Sequence, residues 1–316
     1  MLDPVLVTGA SGFVGSCVAR RLLEQGHRVH VLLREEARLW RLRGILERLV
    51  VEHADICDAA AVRAAVFAAK PQVVLHLATH GAYEAQADAP RILKTNVLGS
   101  YNLLEASLAA KARLIVNTGS SSEYGYRDEP MRESESLSPN SVYAVAKAAQ
   151  THLCSLLAKT SDCAMVTFRL FSVYGPWEEP TRLLPTVIRR ARAGLPLEMV
   201  SPDTARDFIY VEDVLEALLD FERLAGARGA VYNLGSGVQS TMRDVVAAVQ
   251  AAVGSKSEVR WGGMQARKWD TARWQADISK ARVELGWSPK YTLPAGVARM
   301  AEWMKEAGDE YPHGQK

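Results

Sequence analysis

Short apolar segments alternate with amphipathic, helix-like segments through the first half of the 316-residue chain. This alternation is typical of a parallel sheet whose strands are joined by helices on both of its faces. A first strand is predicted from Val5 onward. Further strands are predicted at 28–33, 49–53, 73–78, 114–117 and 164–169.

The helix-like segments that separate these strands are clearest at 59–70, 91–110 and 141–159. Asp58 directly precedes the first of them, and its carboxylate is suited to capping free N–H groups at a helix start. Lys70-Pro71 ends that helix, because proline cannot continue the backbone hydrogen-bond ladder.

The pattern becomes less regular beyond Gly175, where five prolines break the chain around one predicted helix, 183–193. The chain is predicted to return to the sheet at 207–211, 213–224 and 231–234. We therefore predict an α/β protein with a doubly wound parallel Rossmann sheet and a smaller C-terminal substrate-binding lobe. The first domain is assigned to 1–175, with returning segments near 207–234, and the lobe to 176–206 and 235–316.

The segment from Val5 to Gly15 joins the first strand to a glycine-punctuated turn and a helix. Gly9 allows the sharp exit from the strand, and Gly12 lets the backbone approach a pyrophosphate. Gly15 leaves room where the helix packs on the sheet. A glycine triplet alone is a weak signal, but its strand-to-helix context predicts a dinucleotide site.

The end of the second predicted strand, Val31-Leu-Leu-Arg34, is where such folds select their cofactor. An acidic residue there binds the ribose of NAD, whereas an arginine accommodates the 2′-phosphate of NADP. Arg34 therefore favours NADP(H). NAD(H) stays open, because Glu35 and Glu36 follow immediately. Asp55 is expected to contact the adenine end in either case.

Tyr143 and Lys147 lie four residues apart on a predicted helix, so both side chains project from one face. An ammonium beside a tyrosine favours its phenolate, which suits acid/base chemistry. Such a pair also arises by chance on surface helices. Its position after the serine-rich loop Asn117-Thr-Gly-Ser-Ser-Ser-Glu-Tyr-Gly125 favours a catalytic role. Ser120 in that loop is suited to donate a hydrogen bond to a sugar oxygen.

With these features the chain resembles the extended short-chain dehydrogenase/reductase family of nucleotide-sugar epimerases, dehydratases and ketoreductases. The resemblance covers nearly the whole length. Besides the motifs above, it rests on His76-Leu-Ala78, Thr95-Asn-Val-Leu-Gly99, Arg169-Leu-Phe-Ser-Val-Tyr-Gly-Pro176, Arg206-Asp-Phe-Ile-Tyr-Val-Glu-Asp213, Tyr232-Asn-Leu-Gly235, Arg267-Lys-Trp-Asp270, Ala276-Asp277 and Leu285-Gly-Trp-Ser-Pro289.

The resemblance implies that Tyr143 is the acid/base, that Lys147 holds Tyr143 and the nicotinamide ribose, and that Ser120 orients the sugar. Asn96 would maintain the active-site water network, and Arg206 and Arg267 would grip the nucleotide pyrophosphate. The remaining cofactor contacts are expected at Ser11, Phe13, Val14, Ile56, Leu77 and Ala78. The remaining substrate contacts are expected at Thr79, Ser121, Ser122 and Ser172.

Three departures from the family narrow the chemistry. The family's dehydratases carry an acidic pair where this chain has Ser121 and Ser122, so dehydration is disfavoured. Enzymes of the fucose-synthase type carry a cysteine at Ser122, which disfavours a double epimerisation before reduction. Many members have a sugar-contacting asparagine where this chain has Ser172, so the sugar stays open.

Composition limits the range of partners. The 38 basic and 36 acidic residues nearly cancel, which argues against nucleic acid or an anionic membrane as a partner. No apolar run is long enough to cross a bilayer and the first strand starts at Val5, so a cytoplasmic location is expected. The four cysteines show no paired spacing and are interpreted as small hydrophobes. His76 and His80 have no accompanying ligand cluster, so no metal is expected.

The leading hypothesis is a nucleotide-sugar 4-ketoreductase in which Tyr143 protonates the forming alkoxide. The alternative is a 4-epimerase, which oxidises the same carbon and reduces it from the other face. A third hypothesis is a non-catalytic dinucleotide sensor, because a fold alone does not establish function. The segments 91–110 and 141–159 resemble family helices that pair across a two-fold axis, so a homodimer is expected.

Overall fold

The computed structural model describes residues 2–83, 86–264, 273–308 and 311–312. Within these ranges seven strands form one sheet. The strands are β1 Val5–Thr8, β2 Val29–Leu33, β3 Val50–His53, β4 Val73–His76, β5 Leu114–Ser120, β6 Ala164–Leu170 and β10 Val231–Leu234. Their order is β10-β6-β5-β4-β1-β2-β3, and each neighbouring pair from β6 to β3 is parallel. The predicted doubly wound sheet is confirmed.

Helices connect the parallel strands and cover the sheet. Asp58 caps one of them through its carboxylate, which accepts the N–H groups of Ala60 and Ala61 at 3.0 Å, as predicted. Lys70 ends that helix in a left-handed conformation directly before Pro71. The helices of this part are α1 Phe13–Glu24, α2 Ala59–Ala69, α3 Ala89–Leu93, α4 Ser100–Ala109, α5 Val142–Thr160 and α8 Phe221–Gly226. Helix α7 Val211–Leu218 precedes α8 in the sequence.

The hydrophobic core on one face of the sheet lies between the strands and helices α2 and α4. Leu6, Val74 and Ile115 supply the strand side of this core and are fully buried. Val66 and Leu104 belong to its helix side. Strands that are buried in this way are near-continuous apolar runs, which explains why the sequence pattern located them.

The predicted helix 91–110 differs from the structure in its middle turn. The helical run begins earlier, with Asp88 as cap of α3, and passes through a wider π-type turn at Lys94–Gly99 before α4. Such wide turns often occur at functional sites. Asn96 lies in the π-type turn, and its side chain bonds to the loop after β4. A pattern of 3.6-residue periodicity does not detect this local change.

The chain divides into two compact units. The first comprises Met1–Gly125, Glu133–Leu170 and Leu215–Asn233. The second comprises Tyr126–Arg132, Phe171–Val214 and Leu234–Lys316. That the first unit binds a dinucleotide and the second a nucleotide sugar stays a prediction.

The second unit contains two small sheets. Their strands are β7 Ser172–Tyr174, β8 Leu197–Met199, β9 Ala205–Tyr210, β11 Gln239–Thr241 and β12 Val259–Trp261. The three-stranded sheet has the order β11-β9-β7, and β12 pairs with β8 in the other. The helices of this unit are α6 Leu183–Arg192, α9 Met242–Val253, α10 Ser279–Leu285 and α11 Leu293–Ala307.

Two of the three predicted returns to the main sheet are wrong. The sequence pattern predicts 207–211 in that sheet, but β9 pairs with β7 and β11 in the smaller sheet. Residues 213–224 form parts of two helices, and only β10 joins the main sheet. An apolar run shows that a strand is buried without showing which strand it pairs with.

None of the helices in the described ranges is long and apolar enough to cross a membrane. Cys17, Cys154 and Cys163 are buried and Cys57 is partly buried, all as free thiols. This agrees with their interpretation as small hydrophobic side chains.

Candidate active site

Predicted cofactor residues and the predicted catalytic Ser120 lie at the carboxyl ends of five neighbouring strands in the first unit. Gly9 follows β1, Arg34 follows β2 and Leu77 follows β4. Asp55 lies two residues after β3, and Ser120 is the last residue of β5. In open α/β sheets ligands bind at this edge, at the point where the strand order reverses. Here that point lies between β1 and β4.

The glycine-rich turn between β1 and α1 leaves no room for a side chain at Gly9 or at Gly15. Gly9 has a φ of +73°, and a Cβ atom there would lie 2.6 Å from the carbonyl carbon of Leu77. A Cβ atom at Gly15 would lie 2.7 Å from the carbonyl carbon of Gly9. Gly12 begins α1 without a side-chain cap. The backbone therefore forms an open cradle at a helix N-terminus, which fits a dinucleotide pyrophosphate. Ser11, Phe13 and Val14 belong to this turn and the first turn of α1.

Arg34 and Asp55 occupy the ends of neighbouring strands, and both have charged partners. Arg34 is exposed, and its Nη1 lies 3.0 Å from Oε1 of Glu36. Asp55 pairs with Arg91 at 3.2 Å. Burial acts to raise the pKa of Asp55, but hydrogen bonds from Cys57 and the Arg91 and Arg34 charges outweigh it and lower this pKa. Asp55 therefore stays ionised near neutral pH. Its neighbour Ile56 is buried.

His76 lies at the end of β4 in a closed chain of hydrogen bonds. The Ala78 N–H donates to Oγ1 of Thr8 at 3.2 Å, and this hydroxyl lies 2.8 Å from Nδ1 of His76. Nε2 lies 2.9 Å from Oγ of Ser100, which donates to the Asn96 carbonyl. The neighbours thus fix a neutral ring with its proton on Nε2. Burial, helped by the Lys147 charge, lowers the pKa of His76 to about 3.

Both ring nitrogens of His76 are therefore used inside the fold. Across the described ranges, no group of three or more His, Cys, Asp or Glu side chains is placed to hold a metal ion.

Asn96 is fully buried and fixes the loop after β4. Its Oδ1 accepts the His80 N–H at 2.8 Å and the Thr79 hydroxyl at 3.2 Å, and its Nδ2 donates to the His80 carbonyl at 2.7 Å. The resemblance implied a role in a water network. In the structure three of the amide's hydrogen bonds go to the loop, so Asn96 shapes the strand edge directly.

Ser120 begins a short helical turn, Ser121–Tyr124, and Glu123 closes it. The Ser120 hydroxyl lies 2.7 Å from the Ser122 hydroxyl, and Oε1 of Glu123 accepts the Ser120 N–H at 2.8 Å. This is a capping box, in which two residues satisfy each other's free N–H groups. Glu123 is fully buried, and it also accepts bonds from Thr151 at 3.1 Å and from Arg169 at 2.9 Å. Both of its carboxylate oxygens are therefore engaged.

Tyr143 and Lys147 lie one turn apart on α5, with Tyr143 in the first turn. The Tyr143 ring is half-buried and packs against the loop after β4. A Cβ atom at Gly81 would lie 3.2 Å from Cδ2 of Tyr143. Gly81 also has a φ of +92°, so the backbone adopts a conformation that brings this loop against the ring.

Lys147 is 1% exposed, and its ammonium has two acceptors among the residues that the structure describes. Nζ donates to the Thr118 carbonyl and to Oε1 of Gln150, each at 2.5 Å. An ammonium has three N–H groups, so one is left for a ligand. Burial lowers the pKa of Lys147 to about 8, although the Glu123 charge acts against this shift.

The other predicted substrate residues belong to the second unit. Ser172 begins β7, and Arg206 lies in β9 with its guanidinium 5.6 Å from the ring of Trp274. The neighbouring carboxylate of Asp207 is buried and accepts N–H groups from Gly237 and Ala276, each at 3.0 Å. Burial raises the pKa of Asp207 despite these bonds. Arg267 lies outside the described residues.

Sequence reasoning missed Glu123 and Gln150. Both had a signal in the sequence. Ser120 and Glu123 show the serine–glutamate spacing of a capping box. Gln150 follows Lys147 by three residues on one helix, so the two side chains are neighbours.

Residues 5–235 match the model of the NAD dependent epimerase/dehydratase family. A dTDP-glucose 4,6-dehydratase of Neisseria gonorrhoeae is 28% identical, with 95% of this chain and 94% of the relative covered. A UDP-glucose 4-epimerase of Mycolicibacterium smegmatis is 30% identical, with 95% of this chain and 98% of the relative covered. The structure of a UDP-glucose 4-epimerase from Thermus thermophilus, in complex with NAD, is 28% identical with a TM-score of 0.84. The match covers 96% of this chain and 99% of the Thermus thermophilus chain.

The family model spans most of the chain, and the relatives align over nearly its full length. The resemblance inferred from the motifs is therefore confirmed. The chain belongs to the NAD dependent epimerase/dehydratase family of extended short-chain dehydrogenase/reductase enzymes.

Proposed function

We propose that this enzyme transfers a hydride at carbon 4 of a nucleotide sugar. The observation that carries the proposal is the fixed Lys147 ammonium, one helical turn from Tyr143 and bonded to Thr118 of the strand that ends at Ser120. A nicotinamide dinucleotide supplies the hydride chemistry when bound. The glycine cradle after β1 fits its pyrophosphate.

The residues of the chain supply proton transfer and orientation. Tyr143 accepts or returns the proton of the sugar O4 as the hydride leaves or arrives. The Lys147 charge stabilises the negative charge that develops on the Tyr143 oxygen, and its remaining N–H group is suited to a ribose hydroxyl. Ser120 orients the sugar hydroxyl. Arg206 and Arg267 are proposed to bind the diphosphate, for which forked guanidinium donors are suited.

For the net reaction we place 4-epimerisation with NAD first. The relatives include 4-epimerases and dehydratases. Of these two reactions, the family resemblance disfavours dehydration. Ser121 and Ser122 replace the acidic pair of the dehydratases, and the nearby Glu123 uses both carboxylate oxygens inside the fold. This argues against dehydration, in which an acid must protonate the hydroxyl that leaves, and the 4-epimerases among the relatives place epimerisation first.

Reduction of a 4-keto sugar with NADPH is the second candidate, and Arg34 favours it. Arg34 lies at the strand end where a 2′-phosphate is accommodated, and it is exposed. A net reductase draws on the reduced NADPH pool, whereas an epimerase regenerates its cofactor in each cycle.

The Tyr143→Phe variant tests the proposed chemistry. With UDP-glucose and NAD, or with a 4-keto-6-deoxy nucleotide sugar and NADPH, the variant should lose turnover and keep its affinity for reduced cofactor. Tyr101→Phe is a matched control, because it removes the hydroxyl of an exposed tyrosine on α4. Full activity of Tyr143→Phe would exclude it as the acid/base. Cofactor binding without turnover of any such sugar by the parent would favour the sensor hypothesis.

A further inference from the structure

We propose that Gln150 is a positioning residue, which holds the Lys147 ammonium in place and charged through a one-way chain of buried amides. The proposal rests on the role given to Lys147 in the proposed function. Gln150 is fully buried, three residues after Lys147 on α5. Its carbonyl oxygen accepts from the Lys147 ammonium at 2.5 Å.

From Gln150 this chain of hydrogen bonds continues away from Lys147 to strands β5 and β6. The Gln150 amide nitrogen donates to Oδ1 of Asn117 at 2.7 Å. The Asn117 amide nitrogen donates to the Thr167 hydroxyl at 3.1 Å. Asn117 and Thr167 face each other on the parallel strands β5 and β6, and both are buried. Each amide is therefore held by a group on the sheet.

Donor and acceptor chemistry fixes the direction of this chain. An ammonium has only N–H donors, so Gln150 must turn its oxygen toward Lys147 and its nitrogen toward Asn117. Asn117 must then present its oxygen to Gln150 and its nitrogen to Thr167. The Gln150 oxygen faces the Lys147 ammonium, and the Asn117 oxygen faces the Gln150 amide nitrogen. A charge-assisted hydrogen bond of this kind is stronger than a neutral one.

The titratable groups around Lys147 are either paired with another charge or neutral, so the ammonium depends on its hydrogen-bond acceptors. Glu123 contributes a favourable charge, but Arg169 pairs with it at 2.9 Å. Burial raises the pKa of the Cys154 thiol to about 12, so the thiol is neutral. His76 is neutral as well, because burial lowers its pKa to about 3. Among the described residues the acceptors of the ammonium are thus the Thr118 carbonyl and the Gln150 oxygen.

It follows that the pH range in which Lys147 stays charged depends on Gln150. Burial opposes the ammonium and its two acceptors favour it, so removing one acceptor should lower the Lys147 pKa from its value of about 8. Loss of one charge-assisted bond corresponds to about 1 to 2 pH units. Such a variant would lose the ammonium, and with it activity, at a lower pH than the parent.

The direct test is an NMR titration of Lys147 in the apo protein. The full chain is labelled with ¹³C at lysine Cε, and the Lys147 resonance is assigned by its loss in Lys147→Arg. Gln150→Met, which keeps the side-chain volume and removes the acceptor, should move the midpoint down by about 1 to 2 pH units. Gln250→Met is the matched control, since Gln250 on α9 donates to the Ser257 carbonyl and the variant removes that bond. It should titrate like the parent.

Gln150→Glu should shift the Lys147 midpoint in the opposite direction. This variant also tests the proposal if Gln150→Met does not fold. A carboxylate beside the ammonium should raise the midpoint above that of the parent. An unchanged midpoint in Gln150→Met, or a lowered one in Gln150→Glu, would overturn the proposal.

Activity against pH completes the experiment. The high-pH limb of kcat/KM should follow the NMR midpoints, falling earlier in Gln150→Met and later in Gln150→Glu. If the midpoints move as expected but no nucleotide sugar is turned over, the proposed function fails and the positioning role of Gln150 stands. If sugar is turned over and the high-pH limbs of the variants coincide with that of the parent, the role of Gln150 fails alone.

Discussion

Two buried charges of the candidate site are balanced in different ways. Glu123 is matched by the opposite charge of Arg169 and accepts N–H and O–H groups at both oxygens. Lys147 is matched by two neutral acceptors. A paired carboxylate holds a loop in place, whereas an ammonium in neutral surroundings keeps its charge available to a neighbouring tyrosine oxygen. We propose that the first arrangement serves the fold and that the second serves the proposed chemistry.

Sequence reasoning identified candidate site residues whose spacing is set within one turn or one helix. The spacing of Gly9 and Gly15, or of Tyr143 and Lys147, follows from the geometry of one turn or one helix. The Arg169 partner of Glu123 is 46 positions away. Such a pairing depends on the register of two strands, which no local pattern contains.

Arg34 is expected to contact the 2′ position of the cofactor ribose. Arg34→Asp should weaken NADPH binding by about 1.5–3 kcal/mol, because a charge-assisted contact is lost, and leave NADH binding unchanged or improved. Dissociation constants from nicotinamide fluorescence measure both effects. Arg38→Asp makes the same charge change at an exposed neighbour and should alter neither constant by a similar amount. Equal losses for NADPH and NADH in Arg34→Asp would contradict the assignment.

At the scale of elements, strand ends and helix starts create the site. The carboxyl ends of five strands bring together residues from 9 to 120. The helix period predicted α5 well, because its cap Ser141 and its full length are regular. The π-type turn at Lys94–Gly99 was not predicted, since its cause is the bonding of Asn96 and Ser100 to partners on β4 and its loop.

The serine loop should depend on its buried ion pair for stability. Glu123→Gln leaves the Arg169 guanidinium buried without a counter-charge, which costs about 3–5 kcal/mol in comparable pairs. The midpoint of urea unfolding, followed by circular dichroism, should fall accordingly. Replacing both partners, as in Glu123→Gln with Arg169→Met, should recover part of the loss.

An exposed ion pair provides the comparison. Glu302→Gln breaks the pairing with Lys305 on the surface of α11, and such pairs contribute about 0–1 kcal/mol. Its unfolding midpoint should stay near that of the parent. If Glu123→Gln behaves like Glu302→Gln, the buried pair does not stabilise the loop.

At the scale of the whole molecule, helices α4 and α5 expose apolar side chains to solvent. Val145 and Leu156 on α5 are 47% and 57% exposed, and Leu98 in the turn before α4 is 59% exposed. Apolar faces of this kind are typical of interfaces. The homodimer expected from the resemblance therefore stays a prediction with a candidate surface.

Sedimentation velocity at micromolar concentration should show a dimer for the parent and a monomer for Leu156→Glu, because a charge in an apolar interface is costly. Val283→Glu is the control, since Val283 is 81% exposed on α10. If the parent protein sediments only as a monomer, the homodimer prediction is wrong. Dissociation of Val283→Glu would place the interface elsewhere.

The last prediction separates epimerisation from reduction by their use of cofactor. An epimerase oxidises and reduces the same carbon, so UDP-glucose or UDP-glucuronate should be inverted at carbon 4 with no net change in cofactor absorbance. A reductase consumes one NADPH for each 4-keto-6-deoxy sugar that it converts. Lack of the dehydratase acids at Ser121 and Ser122 fits both reactions, and Arg34 favours the second.

The two outcomes are measured together by recording absorbance at saturating substrate and identifying the product sugar by NMR. We expect inversion without net cofactor change, in line with the 4-epimerases among the relatives. Consumption of one NADPH per product, with no inversion of 4-hydroxy sugars, would instead establish the reductase. In either case Tyr143→Phe should abolish the reaction, because in the proposed function both reactions would pass a proton through the Tyr143 oxygen.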